Sequence, residues 1–456
     1  MVNNMGFRED FVWGVATSAY QIEGAVCEEG KGANIWDEFC RQPGKILNGE
    51  TAAVACDHYH LYKKDVAIMK EMGVPAYRFS IDWSRVIPDG TGKVNEQGIQ
   101  FYDNLVNELL EAGIEPYITL YHWDLPLALE RRGGWMNPDI VEWFGDYAAL
   151  IAERFSDRVT HFFTINEPQC FIGLGYLRGA HAPGLKRSLS DTLLMAHNVL
   201  KAHGRAVQRL REKAKQPIEI GYAPTCGAAY PESEKPEDIE AARQSYFTIP
   251  EDDNWTWNVP WWSDTVLLGK YPEEGLKRFE AYMPAVTDAD MKLISEPIDF
   301  YGQNIYNGWC VRAGKDGKPE MVERYTGFPR TACGWPITPE ALRWAPRFLY
   351  ERYKKPIYIT ENGISCNDVV SLDGKVHDPQ RIDFTKRYLM ELKKAADDGV
   401  DVRGYFYWSL MDNFEWSEGY SQRFGMVYVD YRNQERIMKD SALWYKQVIK
   451  ENDIVL

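Results

Sequence analysis

The chain has 456 residues, of which 45% are hydrophobic and 26% are charged, and its formal net charge is −15. A chain of this length and apolar content can bury a large core without disulfides or metals. The acidic balance argues against nucleic acid and anionic lipid as partners, because both carry the same sign of charge. No apolar run approaches the roughly 18 residues of a membrane-spanning helix, so no membrane partner is expected.

A strand-like apolar run followed by a helical pattern recurs along the chain. The predicted strands are residues 11–18, 76–81, 116–121, 162–166, 218–223, 299–305, 356–360 and 402–410. The clearest helical patterns cover residues 58–72, 96–112, 138–155, 192–213 and 440–451, whereas the polar stretch 231–240 is predicted to be a surface loop. This α/β alternation favours a single catalytic (β/α)8 TIM barrel with long βα loops, spanning residues 1–456, over an open doubly wound sheet.

In a barrel of this kind, the catalytic and binding residues lie at the carboxyl ends of the strands. Most strand ends carry ionisable, amide or aromatic side chains, whereas the fifth, around Ala223, carries none of these. The candidates are Gln21, Arg78, His122, Trp123, Asn166, Glu167, Asn304, Tyr306, Glu361, Asn362 and Trp408.

Two of these candidates, Glu167 and Glu361, are carboxylates that directly follow buried strands, and each has an asparagine neighbour. Glycoside hydrolysis needs such a pair, one carboxylic acid to protonate the leaving oxygen and one carboxylate to attack or to activate water. The alternative is a pair of structural salt bridges at the mouth of the barrel. Two glutamates on opposite strands favour catalysis over that alternative.

The eight cysteines are predicted to be free thiols in a cytoplasmic protein. No two lie at CxxC spacing, and the N-terminal residues contain no apolar segment typical of a signal peptide. His58 and His60 point in different directions on a predicted helix and lack a nearby third ligand, so no metal is expected there. No other cofactor is expected.

Six separated motifs resemble glycoside hydrolase family 1, the β-glucosidase family, along nearly the whole chain. They are FVWGVATSAYQIEG (11–24), YRFSI (77–81), YHWDLP (121–126), NEP (166–168), TENG (360–363) and WSLMDNFEW (408–416). The resemblance implies a retaining exo-β-glycosidase without a cofactor. Its substrates would be small unphosphorylated β-glycosides, namely disaccharides such as cellobiose, short oligosaccharides, and aryl or alkyl glycosides.

The resemblance also implies individual roles. Glu167 would be the acid/base and Glu361 the nucleophile, with Arg78 lowering the pKa of Glu361 and Asn304 supporting the site. The substrate-binding residues would be Gln21, His122, Asn166, Tyr306, Trp335, Trp408, Glu415 and Trp416. Of these, Asn166 would bind the sugar 2-hydroxyl, and Trp335 would line the site of the departing group.

Alternative functions remain open. The family branch that acts on 6-phosphosugars lacks the Glu415–Trp416 pair, and a charged Glu415 would repel a phosphate. A non-catalytic sugar-binding relative would have lost a carboxylate, whereas Glu167 and Glu361 are both present. An isomerase or aldolase on the same barrel would need a phosphate site or a Schiff-base lysine at a strand end. The sequence leaves the oligomeric state open, including a homo-oligomer.

Overall fold

A closed barrel of eight parallel strands forms the centre of the protein. The computed structural model describes residues 7–251 and 253–455, and strands β1 to β8 pair in chain order around the barrel, with β8 closing on β1. The strands are Val12–Ala16, Ala76–Ser80, Glu115–Tyr121, His161–Asn166, Glu219–Ala223, Phe300–Asn304, Ile357–Asn362 and Val402–Trp408. The predicted (β/α)8 barrel is confirmed, and every predicted strand overlaps an observed one.

One principal helix follows each of the eight barrel strands, so seven of them lie between consecutive strands and the eighth follows β8. Helices α1 to α8 are His58–Met72, Glu96–Glu111, Ile140–Phe155, Leu189–Lys213, Asp288–Ile294, Ala341–Tyr353, Pro379–Asp397 and Asp440–Glu451. The prediction of a loop over 231–240 is wrong in part, because a further helix, Pro236–Tyr246, begins within it. Pro236 at the first helical position and acidic residues after it are signals of a helix start.

The loops after β5, β6 and β8 contain structure that the sequence patterns did not predict. A three-stranded sheet combines Ala228–Pro231, Gly308–Ala313 and Pro319–Met321. A hairpin pairs Val427–Asp430 with Glu435–Met438. Further short helices include Pro260–Leu267 and Glu273–Phe279. These elements follow the carboxyl ends of barrel strands, so they belong to the predicted long βα loops.

The interior of the barrel is filled by large aromatic side chains that pack against small residues. Tyr117, Phe163, Phe300, Tyr358 and Phe406 belong to one buried cluster. Glycines accommodate these rings: a Cβ at Gly221 would lie 2.0 Å from the ring of Phe300. The part of the barrel that this cluster fills is therefore a packed core rather than a channel.

Within the described residues, no helix combines the length and apolar character that crossing a membrane requires. The prediction that residues 1–456 form one catalytic domain stays a prediction.

Candidate active site

The predicted site residues converge on a cavity of about 480 Å³ beyond the carboxyl ends of the strands. Those that line it are His122, Glu167, Tyr306, Trp335, Glu361, Trp408, Glu415 and Trp416. The others lie behind the cavity wall, where they are buried and hydrogen-bonded to wall residues: Gln21, Arg78, Asn166 and Asn304. The structure thus brings these predicted residues into one region, together with Trp123. The strand-end candidate Asn362 instead bonds the Ile305 carbonyl and the Tyr405 hydroxyl.

Glu361 lies in β7 just before its end and is held by two donors. Arg78 Nη1 donates to Oε1 at 2.8 Å, and the Tyr306 hydroxyl donates to Oε2 at 2.8 Å. Burial nevertheless raises the pKa of Glu361, and Arg78 and Tyr306 only offset part of that effect. Arg78 does lower this pKa, as predicted, but desolvation outweighs the attraction of the guanidinium and the pKa is raised overall.

Glu167 directly follows β4 and has a different environment. Asn304 Nδ2 donates to its Oε1 at 2.7 Å, and the Cys170 thiol lies 3.1 Å from its Oε2. Burial raises the pKa of Glu167 to about 7, and the negative charge of Glu361 contributes further in the same direction. No lysine or arginine among residues 7–251 and 253–455 forms an ion pair with Glu167, whereas Arg78 pairs with Glu361, so the acid proton is favoured on Glu167.

Irregular backbone directs both glutamates. The β4–β5 ladder shifts register between Phe163 and Asn166, and the β6–β7 ladder shifts between Ile359 and Glu361. Such bulges change where the following side chains point. Glu167 itself has a left-handed φ of 46°. Two further wall residues, Trp123 and Trp416, have φ of 79° and 51°, and such strain persists only where the surrounding packing enforces it.

Asn166 links the two sides of the site behind the wall. Arg78 Nη2 donates to Asn166 Oδ1 at 2.6 Å, and Asn166 Nδ2 lies 3.2 Å from His122 Nε2. Burial, followed by the charge of Arg78, lowers the pKa of His122, which keeps its ring neutral. Nε2 can therefore accept the hydrogen bond from Asn166.

Glu415 occupies a partly buried position beside Gln21. Gln21 Nε2 donates to the Phe414 carbonyl at 2.9 Å and to Glu415 Oε2 at 3.4 Å. Burial, together with the charges of Glu361 and Glu167, raises the pKa of Glu415 to about 8. A protonated Glu415 would repel a phosphate less strongly than the charged carboxylate assumed from the sequence. Among the described residues, however, the cavity wall contains no lysine or arginine that would attract a phosphate.

Aromatic side chains give the cavity a buried end and an exposed end. Trp408 and Trp416 are each only 4% exposed, and both lie nearly parallel to the ring of His122. Trp335 is 37% exposed, with its ring 5.2 Å from that of Tyr306. Aromatic faces of this kind pack well against the apolar faces of sugar rings.

Several wall residues were not predicted: Cys170, Leu174, His181, Thr225, Cys226, Trp257, Cys333, Gln422 and Phe424. Thr225 and Cys226 follow β5 after one intervening residue, Pro224, so the fifth strand end does place polar side chains in the wall, contrary to the expectation for the residues around Ala223. Cys170 was detectable in principle, because it lies three residues after Glu167 in the short helix Pro168–Cys170.

The residues considered as metal ligands or disulfides have ordinary structural roles. His58 Nδ1 is 2.8 Å from Asp65, whereas His60 Nδ1 is 2.6 Å from Asp57. In the part of the chain that the structure describes, no group of three or more His, Cys, Asp or Glu residues is arranged to hold a metal ion. All eight cysteines lie in that part, and each is an unpaired thiol.

Comparison with known proteins places these features in a family. The profile of Glycosyl hydrolase family 1 matches residues 3–454. Beta-glucosidase A of Thermotoga maritima is 46% identical over 99% of this chain and 100% of its own length. The 1,4-beta-D-glucan glucohydrolase of Thermotoga neapolitana is 45% identical over 98% of this chain and 99% of its own.

Solved structures agree with the sequence comparisons. The beta-glucosidase from Thermotoga maritima in complex with glucoimidazole has a TM-score of 0.89 at 46% identity, covering 98% of this chain and 99% of that one. The complex of the same enzyme with deoxynojirimycin has a TM-score of 0.90 at 46% identity, covering 99% and 100%. The motifs, the barrel and the full-length similarity lead to one conclusion: this chain belongs to glycosyl hydrolase family 1.

Proposed function

We propose that the protein is a retaining exo-β-glucosidase, with additional activity on β-galactosides or β-fucosides. Its substrates are unphosphorylated disaccharides such as cellobiose, short oligosaccharides, and aryl or alkyl glycosides. The observation that carries the proposal is the pair of buried glutamates in one cavity, of which only Glu361 bonds a cation. The similarity to enzymes named beta-glucosidase supports glucose as the sugar.

In the first step, the ionised Glu361 attacks the anomeric carbon and forms a glycosyl ester. The bond from that carbon to the leaving oxygen breaks, and Glu167 transfers its proton to this oxygen. A pKa of about 7 keeps Glu167 protonated in slightly acidic solution. The Arg78 guanidinium, 2.8 Å from Glu361 Oε1, stabilises the attacking carboxylate.

In the second step, Glu167 acts as a base. It takes a proton from a water molecule whose oxygen attacks the anomeric carbon, and the ester bond to Glu361 breaks. The sugar leaves with retained configuration, and both carboxyl groups return to their starting protonation states. This chemistry uses only the two glutamates, the substrate and water.

The shape of the cavity supports exo action. The terminal sugar occupies the buried end, where His122 and Glu415 supply hydrogen-bonding groups and Trp408 and Trp416 supply apolar surface. Gln21 and Asn166 lie directly behind this wall, bonded to Glu415 and His122, and we propose that they also bind the sugar. A largely protonated Glu415 can donate one hydrogen bond as well as accept others, which suits a pair of neighbouring hydroxyls. The departing group lies toward the more exposed Trp335.

Two alternatives are disfavoured by particular observations. A 6-phospho-β-glycosidase needs a positive partner for the phosphate, and the wall residues that the structure describes include no lysine or arginine. A non-catalytic sugar-binding protein has no need for two buried carboxyls beside each other, since burial of such groups is costly.

We also propose that the substrate is the principal partner, that residues 1–456 act as one catalytic domain, and that the protein is cytoplasmic. The unpaired thiol of every cysteine supports a reducing compartment. The structure of the single chain leaves homo-oligomerisation open.

A panel of aryl glycosides tests the proposed function. The purified protein should release the aryl group from the β-glucoside, and much more slowly from the α-glucoside and the 6-phospho-β-glucoside. Glu361→Gln, which keeps the size of the side chain, should abolish release while circular dichroism remains unchanged. Equal activity of Glu361→Gln and the unaltered protein, or a preference for the phosphorylated donor, would contradict the proposal.

A further inference from the structure

A chain of hydrogen bonds behind the cavity wall has a fixed direction. Arg78 can only donate, so the atom of Asn166 that lies 2.6 Å from its Nη2 must be the amide oxygen. The atom of Asn304 that lies 3.2 Å from this oxygen must then be the amide nitrogen. The orientation of the Asn304 amide follows from its neighbours and needs no assumption about which atom is which.

Thr360 holds the other end of the same amide. Its hydroxyl donates to Asn304 Oδ1 at 2.6 Å, and both residues are completely buried. Thr360 immediately precedes Glu361 and had no assigned role in the sequence analysis. Rotating the Asn304 amide by half a turn would place its oxygen against Asn166 Oδ1 and Glu167 Oε1. In the observed orientation, the Thr360 hydroxyl is the donor that satisfies the buried Asn304 Oδ1.

The fixed amide determines how Glu167 can carry its proton. Asn304 Nδ2 donates one hydrogen toward Asn166 Oδ1 and the other to Glu167 Oε1 at 2.7 Å. An acid proton on Oε1 would have to point away from this N–H group, whereas an unprotonated Oε1 accepts from it freely. The contact therefore favours Oε2 as the oxygen that carries the proton.

The second oxygen lies on the open side of the site. Oε2 is 3.1 Å from the Cys170 thiol, and both Glu167 and Cys170 line the cavity, whereas Asn304 lies behind the wall. A thiol can donate to a carboxylate and can also accept weakly from a carboxylic acid. Cys170 can thus bond Oε2 whether or not that oxygen carries the proton, whereas Asn304 can only donate to Oε1.

We propose that Thr360 is a positioning residue whose hydroxyl, acting through Asn304, confines the acid proton of Glu167 to the cavity-side oxygen Oε2. From Oε2 the proton is transferred to the leaving oxygen; from Oε1 it would be directed away from the substrate. This inference rests on the proposed acid/base role of Glu167.

The test compares substrates that do and do not need the proton. Thr360→Val removes the hydroxyl but keeps the branched shape of the side chain, and Thr360→Ser keeps the hydroxyl. The substrates are an alkyl β-glucoside, with a poor leaving group, and 2,4-dinitrophenyl β-glucoside, whose leaving group departs without protonation. Thr164→Val is the matched control, because this buried threonine bonds His203 at 2.7 Å and does not line the cavity.

In Thr360→Val, kcat/KM should fall by a factor about tenfold larger on the alkyl glucoside than on the dinitrophenyl glucoside. This difference is a fraction of the rate factor that a general acid usually contributes. Thr360→Ser and Thr164→Val should change both substrates by the same factor. If Thr360→Val does not fold, Thr360→Cys, with a weaker donor of similar size, should show the same differential at roughly threefold.

Equal losses on both substrates, or no loss on either, in the folded Thr360→Val or Thr360→Cys variant would overturn the inference. That result is distinct from failure of the proposed function, in which the unaltered protein would hydrolyse neither glucoside.

Discussion

The Tyr306 hydroxyl is a separable part of the environment of Glu361. It donates to Oε2 at 2.8 Å, while Arg78 occupies Oε1, so Tyr306→Phe removes one donor and leaves the ion pair intact. A hydrogen bond to a charged group contributes about 1.5–3 kcal/mol. Because about 1.36 kcal/mol corresponds to one pKa unit, losing it should raise the pKa of Glu361 by about one to two units.

The sign of the effect follows from the charge. Glu361 must be ionised to attack, so a higher pKa moves the acidic limb of the kcat/KM profile upward by about one to two pH units. The two glutamates titrate as a pair, so the limb reports the pair rather than either group alone. The rate on the acidic side should therefore fall by about 10- to 100-fold.

The assay is hydrolysis of an aryl β-glucoside between pH 4 and pH 9 for the unaltered protein and Tyr306→Phe. Tyr445→Phe is the matched control, because its hydroxyl donates to the Gly14 carbonyl at 3.0 Å on the outside of the barrel strands. An acidic limb that stays in place or moves to lower pH in Tyr306→Phe would refute the assigned role of the hydroxyl.

The remaining predictions concern the acid, the pH optimum and the leaving-group site. Glu167→Ala should lower kcat/KM for alkyl glucosides by about 10²- to 10⁴-fold and spare dinitrophenyl glucoside; equal losses would refute the acid role. Rate measurements across pH should give a bell near about pH 6, since burial raises both pKa values, that of Glu167 to about 7; a flat profile would contradict this. Trp335→Ala should raise KM for cellobiose several-fold, roughly the loss of one aromatic contact, with little change for a small alkyl glucoside; equal changes would exclude a leaving-group role.

The barrel and the glutamate pair were predictable because both depend on local patterns. Apolar runs such as 356–360 predict strands, and the residue after a buried strand in a barrel faces the shared mouth. Glu167 and Glu361 could therefore be placed together although 194 positions separate them, as their numbering shows. Arg78 was predicted beside Glu361, and the 2.8 Å contact agrees with this.

Features that depend on burial or on long loops were not predictable. The overall rise in the pKa of Glu361 depends on how completely the cavity excludes water, which the sequence does not reveal, although the lowering by Arg78 was predicted correctly. Thr225 reaches the cavity because the chain continues beyond β5 into a small sheet formed with residues far along the sequence. The contact between Thr360 and Asn304 joins adjacent strands, β7 and β6, whose register is irregular at that point.

Trapping the covalent intermediate tests the central claim most directly. The fluorine of a 2-deoxy-2-fluoro-β-glucoside slows both steps, and a good leaving group restores the rate of the first step only. The sugar ester therefore accumulates. Mass spectrometry of the digested protein should find the added fluorosugar on the peptide that contains Glu361, and on that residue within it. A label on another residue, or full turnover of the reagent without any label, would contradict the account.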